Sequence, residues 1–334
     1  MKPGYAISSK NHRWTAGNSA DRIDRMTPFG SNLVAMVTPM EPGGALSEPG
    51  LTGLVDHLLN TGCDGIVVGG TTGESPTLTD TEAARLVHTV ANHAGDRARV
   101  IAGVGTYDTT ACIRRAKEAE AAGADALLLV CPYYSKPTQA GIVAHCQAVA
   151  DATDLPVMLY DVPARTGTAM EAATLIELAS HPRIRAVKDA KGDLFEAMTV
   201  MAHTPLAYYC GIDELNLPYL AAGATGLVSV VGNAVADRNA ALIAAVRGGD
   251  LDTARIAQRR VASAGGGRHA HVAGGDHGQG RAGRTRRHPA RDGAASAARI
   301  AAGAPAAPSR RLDVPRRRVA PRLIGRGMSG KGRS

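Results

Sequence analysis

Apolar residues in this chain gather in short, nearly unbroken runs, and between the runs they recur every three or four positions. The runs are Leu33 to Val37, Gly65 to Val68, Arg99 to Gly103, Ala126 to Val130, Pro156 to Tyr160, Ile184 to Lys188, Ala207 to Gly211 and Gly226 to Val230. Four or five consecutive apolar residues suit a parallel strand covered on both faces, whereas a strand with one wet face alternates. Segments such as Thr79 to Ala94 and Thr109 to Ala122 carry helical spacing and supply the crossovers. Gly62, Gly123 and Gly223 each follow a helical segment, where a left-handed cap favours glycine. Eight strand and helix units at a spacing of roughly 30 residues predict an α/β protein folded as a closed (β/α)8 TIM barrel, preferred over an open doubly wound sheet. The barrel is expected over residues 28–250, after an N-terminal tail of residues 1–27, and residues 251–262 begin a C-terminal helical region.

Past Val261 the pattern is lost. Residues 263–334 are rich in Ala, Gly, Arg and Pro and form a basic low-complexity tail without apolar spacing, expected to be disordered. Fifteen Arg and one Lys face three Asp there, so the tail carries +13 and residues 1–262 carry −5 of the chain's net +8. The basic charge lies outside the barrel, and with aromatic residues at 3% no stacking platform accompanies it, so no nucleic-acid partner is expected. Two readings of the tail stay open: a segment that binds an acidic partner, and a GC-rich message translated out of frame. The second is favoured, because Ala, Gly, Arg and Pro are the residues whose codons can be built from G and C alone.

Other features narrow the class. No stretch of ~18 uncharged apolar residues is present, which excludes a helical membrane span. The first 26 residues lack the apolar core of a secretory signal, and Met26 competes with Met1 as the start of translation. The five cysteines, Cys63, Cys112, Cys131, Cys146 and Cys210, are odd in number, have no C-x-x-C spacing and form no metal-like cluster with His; they read as reduced thiols of a cytoplasmic protein.

Candidate chemistry starts with Lys188, which ends an apolar run. Burying an ammonium disfavours its charged form, so a lysine on a core strand is a candidate amine nucleophile toward a carbonyl; the plainer reading is a solvated charge on the barrel rim. The segment Gly70-Thr-Thr-Gly-Glu-Ser75 reads either as a capped turn or as a hydroxyl-bearing loop, and no Gly-Lys-Ser/Thr follows to make it a P-loop. Pro132-Tyr-Tyr-Ser-Lys-Pro137 reads as a proline-bounded loop with two half-buried tyrosines or as part of a site, and Arg165 as a surface charge or an anion clamp. These segments follow the second, fourth, fifth and sixth predicted strands. If the barrel closes, they meet at its carboxyl-terminal mouth, where catalysis in such barrels resides.

The ordered set Gly-Thr-Thr-Gly-Glu-Ser, Pro-Tyr-Tyr-x-x-Pro, Tyr-x-x-Pro-x-Arg-Thr-Gly and Val-Lys-Asp-Ala, with Ala102-Gly-Val-Gly105, resembles the dihydrodipicolinate synthase family of pyruvate-dependent class I aldolases over residues 28 to 260. The resemblance implies that Lys188 forms a Schiff base with pyruvate and that Tyr160 is the general acid and base. Tyr160 would pass protons through Thr72 to Tyr134, which reaches into a neighbouring subunit's pocket. It implies further that Thr71 and Thr72 bind the pyruvate carboxylate, that Arg165 binds the carboxylate of L-aspartate 4-semialdehyde, and that Gly211 and the Val228 carbonyl line the pocket. The implied product is 4-hydroxy-tetrahydrodipicolinate, on the route to diaminopimelate and lysine. The implied assembly is a homo-oligomer, a dimer of dimers or homotetramer, without cofactor or metal. Asp161 stands where many relatives carry Asn. Where some relatives bind lysine through Asn, Glu and His, this chain has Pro76, Asp80, Ala83, Tyr107 and Ala111, so weak or absent inhibition by lysine is expected. The rivals are a lyase of the same family acting on a sialic acid or keto-deoxy sugar acid, and a barrel left inactive by its altered C-terminus.

Overall fold

In the computed structural model, residues 29–265 are described; the N-terminal tail and, from residue 266, the basic tail lie outside them. Eight parallel strands close on themselves in chain order: β1 (Asn32–Ala35), β2 (Gly65–Val68), β3 (Arg99–Gly103), β4 (Ala126–Val130), β5 (Val157–Asp161), β6 (Ile184–Asp189), β7 (Ala207–Cys210) and β8 (Gly226–Ser229). The predicted (β/α)8 barrel is therefore the fold. Its helices are α1 (Glu48–Asn60), α2 (Asp80–Ala94), α3 (Thr109–Ala121), α4 (Gln139–Ala150), the single turn α5 (Pro163–Thr166), α6 (Ala172–Leu178), α7 (Leu194–His203), α8 (Asn216–Ala221), α9 (Gly232–Arg247) and α10 (Leu251–Gly265). No helix among the described residues is long and apolar enough to cross a membrane.

Local chemistry sets the boundaries. Thr79 caps α2 through a reciprocal box, its hydroxyl accepting from Glu82 N–H while the Glu82 carboxylate accepts from Thr79 N–H. Asp108 caps α3 and Thr138 caps α4. Gly62, Gly123 and Gly223 take φ of 87°, 92° and 106°, the left-handed closures expected after helical segments. The strands β1, β5, β6, β7 and β8 differ from the apolar runs by one or two residues at their ends. β1 ends at Ala35, because Val37 N–H turns to Asn233 Oδ1 (3.1 Å). β5 and β6 each run one residue further, to Asp161 and Asp189, whose carboxylates are nevertheless buried.

Alternation along the strands makes two cores. Inward-facing Leu33, Val67, Ile101, Leu128, Met158, Ala186 and Val228 fill the barrel, with Phe29 packed edge-on against Tyr209 at 6.2 Å and the Tyr209 hydroxyl donating to Gly30 O (2.8 Å). Outward-facing residues pack beneath the helices in the larger cluster. Closure demands a bare backbone at the β1–β8 seam, since a Cβ on Gly226 would strike the Ser31 carbonyl. At the opposite edge of β1, Asp64 accepts from Ser31 N, Ser31 Oγ and Asn32 N at 2.7 to 3.0 Å. All five cysteines are free and buried. Burial pushes the Cys112 thiol up to about 11 and those of Cys63, Cys131 and Cys210 to about 12.

Candidate active site

Tyr160 and Lys188 are register partners on β5 and β6 and both point into the barrel. Lys188 is 4% exposed, and its Nζ lies 4.2 Å from the centroid of the Tyr160 ring. That nitrogen makes no hydrogen bond and no ion pair with any described residue. Small neighbours give it room. Gly211, just past β7, takes no Cβ without crowding Lys188 Cε (3.1 Å) and Asp189 O (2.9 Å), so a side chain there would displace the lysine stem. Val228 lies on the inner wall, wholly buried on β8.

The mouth above Lys188 is built largely from backbone. Gly103 approaches the Gly69 carbonyl so closely that no Cβ fits, and Gly105 packs against Val130 N in the same way, at 2.6 Å from its ideal Cβ. A cleft walled by Gly69, Gly70, Thr71, Ser75, Gly105, Val130 and Tyr160 results. In the loop after β2 the Gly70 carbonyl accepts from Gly73 and Ser75 N–H (3.0 and 3.2 Å), and Thr38 Oγ1 donates to Gly73 O (2.7 Å). The folded loop leaves the amides of Thr71 and Thr72 with no acceptor among the described residues. Thr71 is exposed and Thr72 half-buried at the rim. Two N–H groups beside two hydroxyls are the kind of donor set that can accept a small carboxylate.

The loop after β4 places Tyr133 and Tyr134 differently. Tyr133 is half-buried, its hydroxyl 3.3 Å from Thr106 Oγ1 and its ring edge-on to Tyr107 at 5.6 Å. Tyr134 has a left-handed backbone, φ 70°, and is 91% exposed. The relay expected from Tyr160 through Thr72 to Tyr134 is thus not closed within one chain, and none of the three side chains hydrogen-bonds to a described residue. Tyr134 is turned outward by its loop, as expected of a residue that serves a neighbouring pocket, and Tyr160 and Thr72 do not meet directly. Arg165 sits on α5, whose geometry follows from Pro163 at its start and Gly167 (φ 75°) at its end; the guanidinium is exposed and pairs with no carboxylate among the described residues.

A second layer lies outside the barrel wall; alternation already turns Asp189 away from Lys188, but the ties to Lys191 and Glu196 are visible only in the structure. Asp161 and Asp189 are register partners pointing away from the lumen, both 1% exposed. Asp189 accepts from Lys191 N (2.8 Å), Gly192 N (3.1 Å) and the Tyr208 hydroxyl (3.0 Å). Asp161 Oδ1 accepts from Met170 N (3.2 Å), while its Oδ2 has only the ion pair with Lys191 Nζ (3.4 Å). Burial chiefly, opposed by Lys191 and reinforced by Asp189, pushes the Asp161 carboxyl up to about 6. Asp213 forms a third brace: it accepts from Ser229 Oγ (2.5 Å) and from Val230 and Val231 N–H (3.0 Å each), and Gln258 on α10 donates to its carbonyl (2.9 Å). The signal available for the second layer was positional: Asp161 and Asp189 directly follow the two inward candidates, so alternation sends them outward. Among the described residues no group of His, Cys, Asp and Glu is placed to hold a metal ion.

A closed eight-stranded barrel with a buried, unpaired lysine at its mouth defines a (β/α)8 enzyme. Residues 28–264 match the Dihydrodipicolinate synthetase family, and the chain belongs to that family of lyases. It is 53% identical over 233 residues to the 4-hydroxy-tetrahydrodipicolinate synthase of Mycolicibacterium paratuberculosis, covering 70% of this chain and 78% of the relative. To that of Acidothermus cellulolyticus it is 54% identical over 237 residues, covering 71% and 77%. Among solved structures, dihydrodipicolinate synthase from Acinetobacter baumannii complexed with pyruvate superposes with a TM-score of 0.68 at 36% identity, covering 70% of this chain and 81% of that one. The enzyme from Cyanidioschyzon merolae with lysine bound superposes with a TM-score of 0.70 at 36% identity, covering 83% and 99%.

The second layer yields a stability prediction. The carboxyl of Asp161 binds its proton more tightly in the fold than at its ordinary value of 3.8, so this group's contribution to stability falls as pH rises from about 4 to 6 and is then constant. Asp161→Asn is expected to melt no lower than the parent at pH 7.5, with a relative gain on the order of 3 kcal/mol at most, since each pKa unit is worth about 1.4 kcal/mol. The gain is expected to vanish near pH 4. Thermal melts across that range check the sign.

Proposed function

We propose that the enzyme condenses pyruvate with L-aspartate 4-semialdehyde to give 4-hydroxy-tetrahydrodipicolinate, the committed step toward diaminopimelate and lysine, in the cytoplasm. The observation that carries the reading is Lys188 Nζ, buried, unpaired and 4.2 Å from the Tyr160 ring centroid. In this mechanism the amine adds to the pyruvate ketone and water leaves, giving an imine. Loss of a methyl proton turns the imine into an enamine, which attacks the aldehyde carbon. Ring closure through the semialdehyde's amino group displaces Lys188. Tyr160 serves as the general acid and base, and Thr71 with Thr72 receives the pyruvate carboxylate. Arg165, which pairs with no carboxylate among the described residues, clamps the second substrate's carboxylate in the planar, two-pronged way guanidinium permits. Gly211 keeps the lysine stem unobstructed and Val228 closes the wall beneath.

The reading includes a homo-oligomer, a dimer of dimers. Three of the chain's eight tyrosines, Tyr107, Tyr133 and Tyr134, cluster on one face, with Tyr107 62% and Tyr134 91% exposed. Exposed tyrosine on a strained loop is what a contact with a second copy uses. Such a contact supplies Tyr134 to a neighbouring site and completes the proton relay there. No cofactor enters any step.

Incubation with pyruvate and borohydride is expected to attach one reduced pyruvate imine to the peptide containing Lys188, read by mass spectrometry, and Lys188→Arg to abolish it. A wild-type chain that stays unlabelled contradicts the mechanism. Arg165→Ala is expected to leave pyruvate trapping intact while lowering kcat/KM for the semialdehyde by roughly a hundredfold, the loss typical of a charged hydrogen-bonded anchor; an equal loss with a sugar aldehyde points to the sugar-acid lyases instead. Lysine is expected to inhibit weakly or not at all. Asp80 is already held by Arg114 (2.8 Å) and Arg115 (2.9 Å), and Ala83 and Ala111 offer no polar side chain. Half-maximal inhibition at submillimolar lysine in the coupled assay contradicts this.

A further inference from the structure

Two lysines stand three residues apart with opposite surroundings. Lys188 points inward and touches no carboxylate, whereas Lys191 holds two: Asp161 Oδ2 at 3.4 Å and Glu196 Oε2 at 2.9 Å, with Met170 O accepting from the same nitrogen at 3.1 Å. Burial works against the Lys191 ammonium, but Glu196 and Asp161 outweigh it and hold its pKa above the ordinary value. The backbone N–H of Lys191 meanwhile donates to Asp189 Oδ1 (2.8 Å), so this one residue grips the carboxylate that ends β5 and the carboxylate that ends β6. Each of those carboxylates is one peptide unit from a lumen residue, Asp161 from Tyr160 and Asp189 from Lys188. Ala190 N donates to Asp161 O (2.8 Å) and closes the same joint.

We propose that Lys191 and Asp161 are positioning residues of the imine site: their ion pair, buried at Asp161 and half-buried at Lys191 and anchored to Glu196 on α7, clamps the ends of β5 and β6 from outside the barrel and thereby holds the Tyr160 ring against the Lys188 amine. This rests on the imine reading of Lys188. An alternative in which the pair serves stability alone accounts poorly for it, because a buried ion pair is a weak source of stability and here one acid oxygen has no hydrogen-bond donor. The groups facing Asp161 are Asp189 on β6, Lys191 after it, Cys131 after β4 and Tyr208 on β7, with Glu196 behind Lys191. Lys191 is the only cation among them. When Asp161 takes up a proton, near pH 6, the clamp loses its charge on the β5 side and imine formation slows.

The test follows pyruvate imine trapping by cyanoborohydride from pH 5 to 8.5, with a thermal melt of every variant. In the wild type the trapping rate is expected to contain a step near pH 6. Asp161→Asn is expected to remove that step while the chain stays folded. Lys191→Met is expected to slow trapping at pH 7.5 by roughly ten- to a hundredfold, the range for a small misplacement remote from the chemistry, and to move the step to higher pH. Lys191→Arg is expected to restore most of the rate. A profile of Asp161→Asn that superimposes on the wild type overturns the proposal even if Lys191→Met fails to fold, and so does a folded Lys191→Met that traps at the wild-type rate. A wild type that is not trapped at all overturns the imine reading itself, and this proposal with it.

Discussion

A lysine amine lodged in an apolar wall with no counter-charge is the constraint around which this barrel is organised. Burying an ionisable group without a partner is unfavourable, and in a folded protein such a group marks a place where chemistry uses it. The neighbours of Lys188 accommodate it by absence: no side chain at Gly211, a single methyl at Ala186, and the face of Tyr160 in place of a carboxylate. The carboxylates that a lysine would ordinarily attract lie on the other side of the same two strands. Strand alternation separates the reactive nitrogen from Asp161 and Asp189 by the thickness of the wall.

The fold was readable because parallel strands covered by helices leave a clear trace, and eight of them favour closure over an open sheet. Strands covered on both faces must be apolar throughout, and Ala126 to Val130 or Gly65 to Val68 admit no other placement once helices flank them. The mouth was readable for a related reason, since Lys188, Tyr160 and the Gly70 loop each follow a strand, and a closed barrel gathers strand ends at one rim. The outward direction of Tyr134 was implied by the family resemblance and not by the pattern of the residues themselves. Its outward pose depends on left-handed backbone at Tyr134 and Lys136, which nothing in Pro-Tyr-Tyr-Ser-Lys-Pro specifies. The Asp161–Lys191–Glu196 network was hidden because its members lie on three elements separated by up to 35 positions, and charged residues at strand ends ordinarily face water. Only the register of β5 against β6 brings them together.

Membership of the family and the placement of Lys188 support one another without being the same evidence. The match over residues 28–264 concerns the whole barrel, while the site argument needs four strand ends and two loops. On the proposed function the rim offers two anion contacts of different kinds: amides and hydroxyls at Thr71 and Thr72, and an exposed guanidinium at Arg165. That division suits an ordered encounter in which the smaller acid enters first.

The brace formed by Gln258 carries a consequence for how the molecule opens. Because α10 reaches back to the Asp213 carbonyl, and Asp213 in turn grips the start of α9 through Val230 and Val231, the last helix described is mechanically continuous with the rim above β7 and β8. Fraying of that helix is therefore not a remote event at a chain end. It loosens the rim above β7 and β8, so the amides of Val230 and Val231 are expected to exchange with solvent in concert with those of residues 251–265, as one cooperative unit.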